Sequence, residues 1–592
     1  MKVTGPAAEF YRNRGAVRTV LLAAAVAALG APAGAGAQQR AETVLLHGRV
    51  LTENAADEVV EAVAIRAGRI LAVGSDRDVL AFAGPGTRRI DLRGRTVTPG
   101  LIDSHAHVAE GGVDDLYHLQ LGDATSVAEI VRRVRAAARG LPPGQWVQGA
   151  GWDEAKLAER RYPLAAELDQ AAPRNPVWLT QTTGHYGAAN SAALRLAAIT
   201  AATPDPAAGT IDRDAAGRPT GVLKEAAQGL VTGLIPPPTA EQRRAGILHE
   251  LAVLHRAGIT AYKDPAIDRA TWDAYRTLAD SGRLDAHVCV LWYAGRSLES
   301  ARAALAEITA VPRPPQSLGD GRLLSCGAKI FMDGSGGART AWLYEDWHRR
   351  FTEIDTGNTG YPATDPAVYR DMVRLFHRAG VHVGTHAIGD RAIDWVVDTY
   401  AQVLEEQPTA GLRHSIIHAN LPSDHALEAM ARLQKAYDAG YPEVQPPFLW
   451  WIGDNYAGNF GPERARRLIP LRTFEERGIL WSGGSDFPVT PVAARYGLWA
   501  AVAREPLRGT YGAHPFGTAE AVDVRTALRS YTIRAARQLF LESRIGSLEA
   551  GKDADLAVWA TDPERGGTAA LRDLRCDLTL LGGRVVHEAA HP

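Results

Sequence analysis

His105 and His107 stand two residues apart where the apolar run Val97-Thr98-Pro99-Gly100-Leu101-Ile102 gives out. In a β-strand the side chains at i and i+2 leave from one face, so two imidazoles so spaced can share one metal ion. Three further residues repeat this placement. His386 follows Val381-His382-Val383-Gly384-Thr385, His418 follows Ser415-Ile416-Ile417, and Asp486 follows Leu480-Trp481-Ser482-Gly483-Gly484-Ser485. Any one of these histidines alone reads as a core residue. Together, four histidines and an aspartate at the ends of four strands form a donor set for one or two divalent ions and a hydrolytic water. Imidazole and carboxylate suit zinc first, and also manganese, iron, cobalt or nickel.

The elements that must position these groups can be read from periodicity. Residues 99–540 alternate short apolar strands with helical stretches, the pattern of a parallel sheet flanked by helices. Strands are expected at 259–264, 287–292, 328–332, 381–386, 415–418, 443–445 and 480–485, and helices at 366–379 and 424–439. Such a sheet can close into an α/β barrel, which places its chemistry at the C-terminal ends of its strands. An open dinucleotide-binding sheet is the competing form, but no G-x-G-x-x-G opens a helix after a strand, and no Walker A motif occurs. Residues 114–258 are too many for one crossover and read as an insertion. Both chain ends are β-rich: a strand at 43–50, a hairpin at 63–74 turning on Ala67-Gly68, another strand at 555–559, and a hairpin at 578–586 turning on Gly582-Gly583. They predict one small sheet domain built from 38–98 plus 541–592.

Residues 1–37 have the form of a secretory signal: Arg12, Arg14 and Arg18, an Ala-rich apolar stretch from Val20 to Leu29, and Ala35-Gly36-Ala37 as the cleavage site. The apolar stretch is too short to span a bilayer. An exported protein, periplasmic or secreted, is therefore expected. Cleavage removes four basic residues and one acidic residue and moves the net charge from −2 to −5. That balance gives no reason to expect nucleic acid or an anionic membrane as partner. A small-molecule substrate is the expected partner, and a homodimer is left open. The three cysteines, Cys289, Cys326 and Cys576, are too few and too far apart for a disulfide scaffold or a Cys-rich metal site; one bridge is open to them, but three buried free thiols is the simpler reading.

Several stretches, spread over nearly all of the chain after residue 37, resemble the metal-dependent amidohydrolase superfamily, in its YtcJ-like, N-substituted formamide deformylase-like branch. They include Thr98-Pro99-Gly100-Leu101-Ile102-Asp103-Ser104-His105-Ala106-His107, Gly149-Ala150-Gly151-Trp152-Asp153, Lys329-Ile330-Phe331-Met332-Asp333-Gly334-Ser335, His386-Ala387-Ile388-Gly389-Asp390, His418-Ala419-Asn420 and Gly484-Ser485-Asp486-Phe487-Pro488. The resemblance implies an α/β (β/α)8 TIM-like barrel with a small β-sandwich formed by both termini. It implies His105 and His107 on one metal and His386 and His418 on a second. Asp486 would bind the first metal and also take the proton of the attacking water. The bridging ligand implied is a carboxylated lysine on the fourth strand, for which Lys329 is the candidate. Glu225, in the insertion, is the competing bridge, and an ordinary lysine paired with Asp333 or Asp264 is the plain alternative. One position departs from the pattern: many relatives carry a glutamate just before the sixth-strand histidine, where this chain has Ile417. By strand alternation Ile417 should face away from His418.

Substrate determinants are fainter. Trp152, Trp342, Trp450, Trp451 and Phe448 are candidates for an apolar pocket, and His185 and Arg339 for orienting a carbonyl or carboxylate. The leading expectation is an exported metal-dependent hydrolase of amide or N-formyl C–N bonds. The same barrel acting on esters, lactones, phosphoesters or ring amines is the alternative. A non-catalytic periplasmic binding protein is disfavoured by the complete ligand set.

Overall fold

A computed structural model describes residues 40–314, 316–348 and 357–590; the signal-like segment lies outside them. Eight short, mostly apolar segments become parallel strands: β1 (Leu101–Asp103), β2 (Ile259–Ile267), β3 (His287–Tyr293), β4 (Leu323–Phe331), β5 (His382–Ala387), β6 (Ser415–His418), β7 (Tyr441–Val444) and β8 (Ser482–Gly483). They follow chain order across the sheet, each hydrogen-bonded to the next. The edges β8 and β1 meet where the Ser104 N–H donates to the Gly483 carbonyl at 3.1 Å, so the sheet is a nearly closed barrel. The crossovers contain helices on the outside. One of them, Pro366–Arg378, starts as its sequence predicts, with Asp365 as N-cap and Pro366 in the first turn.

The barrel interior is stratified by chemistry. One part is apolar: Ile102, Ala261, Leu291, Leu324 and Ile417 pack against Ala535, Ala536 and Leu539 of the segment that plugs the barrel. Cys289 and Cys326 lie in this cluster as a disulfide across β3 and β4, which corrects the expectation of three free thiols. Adjacent parallel strands bring together two cysteines 37 residues apart; Cys576 alone is a free, buried thiol. Nearby, Lys263 of β2 and Glu443 of β7 form a fully buried ion pair, Nζ to Oε1 2.6 Å.

Two further sheets lie at the chain ends: a four-stranded one of N-terminal strands alone and a six-stranded one to which both ends contribute. Val97 pairs in antiparallel register with Val558, tying the N-terminal strands to the C-terminal hairpin, and Leu45, Val63, Ile65, Val97, Leu556 and Leu580 share one apolar cluster between the sheets. The segment 43–50 is two strands rather than one. The backbone turns at His47, φ 57°, and sends Thr43–Leu46 into one sheet and Arg49–Leu51 into the other.

Between β1 and β2 the chain makes a separate six-stranded sheet, from Leu119–Gln120 to Pro219–Glu225, with its own apolar core around Ile130, Trp152, Leu168 and Leu179. It is bracketed by two helices that pack on each other against the barrel, α1 (Val108–Tyr117) and α2 (Ala240–Arg256). No described helix is long and apolar enough to cross a membrane.

Candidate metal centre

His105 and His107 do not lie on the strand. β1 ends at Asp103 and α1 begins at Val108, so strand alternation at i, i+2 is not what orients the pair. Backbone contacts to a neighbouring strand and a neighbouring loop aim the two rings instead. The Ala106 N–H donates to Lys263 O at 2.9 Å, and the His107 N–H donates to Phe487 O at 2.7 Å. Asp103 ties this loop to the one after β8, accepting at one oxygen from the His105 N–H (3.1 Å) and the Ser485 N–H (2.9 Å). Gly484 permits the close approach: a Cβ there would lie 2.8 Å from the His105 nitrogen. Asp486, in the left-handed region at φ 55°, donates its N–H to the His105 carbonyl at 2.7 Å.

The result is convergence. Nε2 of His105 and Nε2 of His107 each lie 3.3 Å from Oδ1 of Asp486. That is the spacing of donors sharing one first-row ion, whose bonds are about 2.0–2.2 Å long. Burial alone would raise the Asp486 carboxyl, but His105 and His107 beside it hold it well below the usual carboxylate range. The imidazoles run on as a chain of ring contacts: His107 to His105 at 5.4 Å between centroids, His105 to His418 at 5.3 Å, His418 to His386 at 4.5 Å, and His386 to His185 at 5.1 Å. Burial keeps His105, His386 and His418 neutral, His418 at about 3; the neutral ring is the form that ligates. Nδ1 of His105 is buried without a hydrogen-bond partner. The donor set therefore fits a divalent metal.

His418 reaches the centre by a route strand alternation does not predict. Ile417 pairs in register with His386 and Glu443 and shares their inward face. A positive φ of 75° at His418 then turns the next side chain inward as well. Gln445, which sequence reasoning passed over, fixes that ring by an Nδ1···Oε1 contact of 2.6 Å. Phe448 stacks on it at 5.7 Å.

Lys329 of β4 is buried, with Nζ 3.4 Å from Nε2 of His105. Burial pushes its amine down to about 7, against the pull of Asp486 and Glu443. Neither alternative partner takes it. Asp333 accepts from the backbone N–H groups of Trp342, Ile388 and Gly389, and Asp264 from Ala109 N–H and Tyr275. Glu225 is engaged elsewhere too, 2.9 Å from Nδ1 of His185 and accepting from Thr340 at 2.6 Å.

His107, Lys329, His386, His418, Asp486, His185 and Glu225 all line one cavity of about 580 Å³, with Tyr293, Phe331 and Trp451 among its aromatic walls. Trp152 does not reach it. That indole is buried in the core of the insertion, bonded to Leu179 O at 2.9 Å and packed on Tyr162 and Tyr186. Arg339 also lies outside the lining, buried and donating to Asn459 at 2.9 Å. Trp342 packs against Trp395, and Trp450 stacks on Tyr496. Trp-rich loops attract a pocket reading, but these rings complete the core instead.

Residues 88–587 match the family model described as the amidohydrolase family. Over 563 residues the chain is 30% identical to the N-substituted formamide deformylase of Arthrobacter pascens, covering 93% of this chain and 99% of that one. It is 30% identical to YtcJ of Bacillus subtilis (strain 168), covering 89% and 96%. Among solved structures, an uncharacterized metal-dependent hydrolase of Pyrococcus horikoshii OT3 superposes with a TM-score of 0.67 at 26% identity, covering 89% of this chain and 99% of that one. With a match this long, and a metal-competent cluster at the mouth of its barrel, this chain belongs to the amidohydrolase family, in the branch of the formamide deformylase and YtcJ, and is a metal-dependent amidohydrolase.

Proposed function

We propose that the protein is an exported hydrolase of amide or N-formyl C–N bonds. The observation that carries the reading is the convergence of His105, His107 and Asp486, with donor atoms all within 4.8 Å of one another, inside a cavity large enough for a small organic substrate. Resemblance to a formamide deformylase over nearly its whole length supports the N-formyl class.

His105, His107 and Asp486 would hold one divalent ion, zinc by preference, and His386 and His418 a second. Such ions supply an acidified water and polarisation of the scissile carbonyl. Asp486 accepts the proton of the attacking water and delivers it to the departing nitrogen as the C–N bond breaks; an N-formyl substrate leaves as formate and an amine. Glu225 fixes Nδ1 of His185 and so leaves its other ring nitrogen for the substrate. Lys329 rather than Glu225 is the bridge this reading favours, supported by an Nζ 3.4 Å from Nε2 of His105; carboxylation would replace a cation unsuited to that position with an anion.

Export is supported by the signal-like segment and by the Cys289–Cys326 disulfide, since such bonds persist in oxidising compartments. The mature protein is expected to begin at Gln38. Recovery of the intact Met1 form from the cytoplasm of the native producer would overturn this part.

The test is a panel of N-formyl amines, simple amides, esters and lactones presented to metal-loaded protein. Formate release that chelation abolishes is expected, with most metal lost from the His105→Ala/His107→Ala variant. Faster turnover of esters or lactones than of any C–N substrate would refute the assignment.

A further inference from the structure

The cavity around the metal ligands is unevenly charged. Lys329 and Arg296 line part of it, while Glu110, Asp114 and Asp115 of α1 and Glu250 of α2 form another part. The two helices set this acidic wall. They touch backbone to backbone where Gly112 meets Gly246, and a Cβ on either glycine would collide with the other helix. Asp115 and Glu250 lie about one turn beyond that crossing and are brought together by it.

Glu250 makes this more than a cluster of acids. Its side chain is fully buried, and neither carboxylate oxygen has a hydrogen-bond partner. The nearest basic atom of its immediate neighbours, His249 Nε2, is 3.7 Å away, beyond hydrogen-bond reach. Ligand atoms of Asp115, His249 and Glu250 fall within 4.8 Å of one another. Among the described residues no lysine or arginine forms an ion pair with Asp115 or Glu250. A buried carboxyl set against the Asp115 carboxyl, with no lysine or arginine paired to either, is costly as an anion, and Glu250 is among the residues lining the cavity. Burial and the Asp115 carboxylate push Glu250 up to about 8, so the pair holds a proton that an arriving cation would displace.

We propose that this acidic arm of the cavity is a subsite for a cationic group, an ammonium or amidinium, carried by the substrate. The proposal rests on the C–N hydrolase reading for the remainder of the substrate. Arg296, also in the lining, disfavours the same group elsewhere in the cavity. Asp115 and Glu250 set specificity by charge, and Glu110 and Asp114, on the same helix as Asp115, extend the negative field towards His107.

Two measurements separate this proposal from the reading it rests on. The first compares the mono-N-formyl derivative of a linear diamine with the N-formyl alkylamine of equal length. Wild type should favour the cationic substrate by about 10-fold in kcat/KM, carried by KM, one decade being about 1.4 kcal/mol. In Asp115→Asn/Glu250→Gln the ratio should fall to about 1. Equal ratios in the two proteins, or a wild-type preference for the neutral compound, would overturn the subsite. The second is calorimetric binding of the free diamine against the free monoamine to the metal-loaded protein, which needs no turnover. Tighter diamine binding in wild type but not in the variant upholds the subsite even if no formamide is cleaved. No diamine preference in wild type overturns it. Metal content is measured alongside: loss of one metal equivalent in the variant with diamine binding intact would give these carboxylates to an inorganic cation and overturn the proposal.

Discussion

Replacing Lys263 by methionine should be among the most damaging single changes in the barrel. Lys263 and Glu443 are both fully buried and 2.6 Å apart, and Oε2 of Glu443 has no other partner. At an effective dielectric of about 20, attraction at that separation is worth about 6 kcal/mol. The desolvation already incurred by both groups offsets much of it, which is why burial pushes the Lys263 amine down despite Glu443. Methionine deletes the charge and leaves Glu443 desolvated and unpaired, a situation that costs about 3–5 kcal/mol. Lys263→Met/Glu443→Leu removes both charges at similar volume and should recover that loss, ending between neutral and about 1–4 kcal/mol more stable than wild type. Guanidinium unfolding midpoints followed by tryptophan fluorescence give the four corners of the cycle. Neither residue lines the cavity, so the double variant should keep its metal. A single variant losing under about 1 kcal/mol, or a double variant no better than the worse single, would refute the view that the pair serves mutual neutralisation.

Asp486→Asn retains an oxygen but cannot accept a proton; kcat should fall about 10²-fold or more while some metal is retained, and wild-type turnover would remove Asp486 as the proton acceptor. Lys329→Ala should lose metal and activity, with partial rescue of both by short carboxylic acids in solution, whereas Lys329→Arg should not be rescued; an unmodified Lys329 by intact mass and crystallography in active enzyme would end the bridging role. Glu53 is buried and its carboxyl is pushed from 4.5 up to about 7, chiefly by burial. Its protonated form is favoured on folding, so its contribution to stability is full below pH 4.5 and is lost as pH rises through 7. Glu53→Gln should therefore raise Tm at pH 8 and do nothing at pH 4; an equal gain at both would refute the assignment.

What could be read from the sequence depended on whether the controlling contact was local. Strand ends were legible because apolar runs and the polar residues that terminate them are neighbours in the chain; β6 spans the expected Ser415–His418. Direction at those ends was not legible. His418 faces inward through a positive φ, and His105 and His107 through backbone bonds of their loop to β2 and to the loop after β8. None of these leaves a periodic mark. Lys329 and Lys263 look alike in sequence, each a lysine inside an apolar strand. One faces a ligand histidine and the other a carboxylate five strands away, and only barrel closure tells them apart.

The same logic separates the two kinds of acidic residue at this cavity. Asp486 could be singled out because it ends a strand, and strand ends in a parallel barrel share one rim. Glu250 sits mid-helix, where a lone glutamate reads as solvated surface. Its burial is set by two glycines, Gly112 and Gly246, that let α1 and α2 touch across a gap of more than 130 residues in the chain. A helix pair spaced by side chains would have left Glu250 in water beside Asp115 and His249, with ordinary acidity and no claim on a ligand. The close crossing thus turns a surface charge into a desolvated one, and desolvation gives a carboxylate reason to select a cation. Placing alanine at Gly112 should therefore weaken the preference for a cationic substrate without altering any acidic residue, by prising the helices apart. A Gly112→Ala variant that folds, keeps its metal and retains the full preference would show that the crossing is not what creates the subsite.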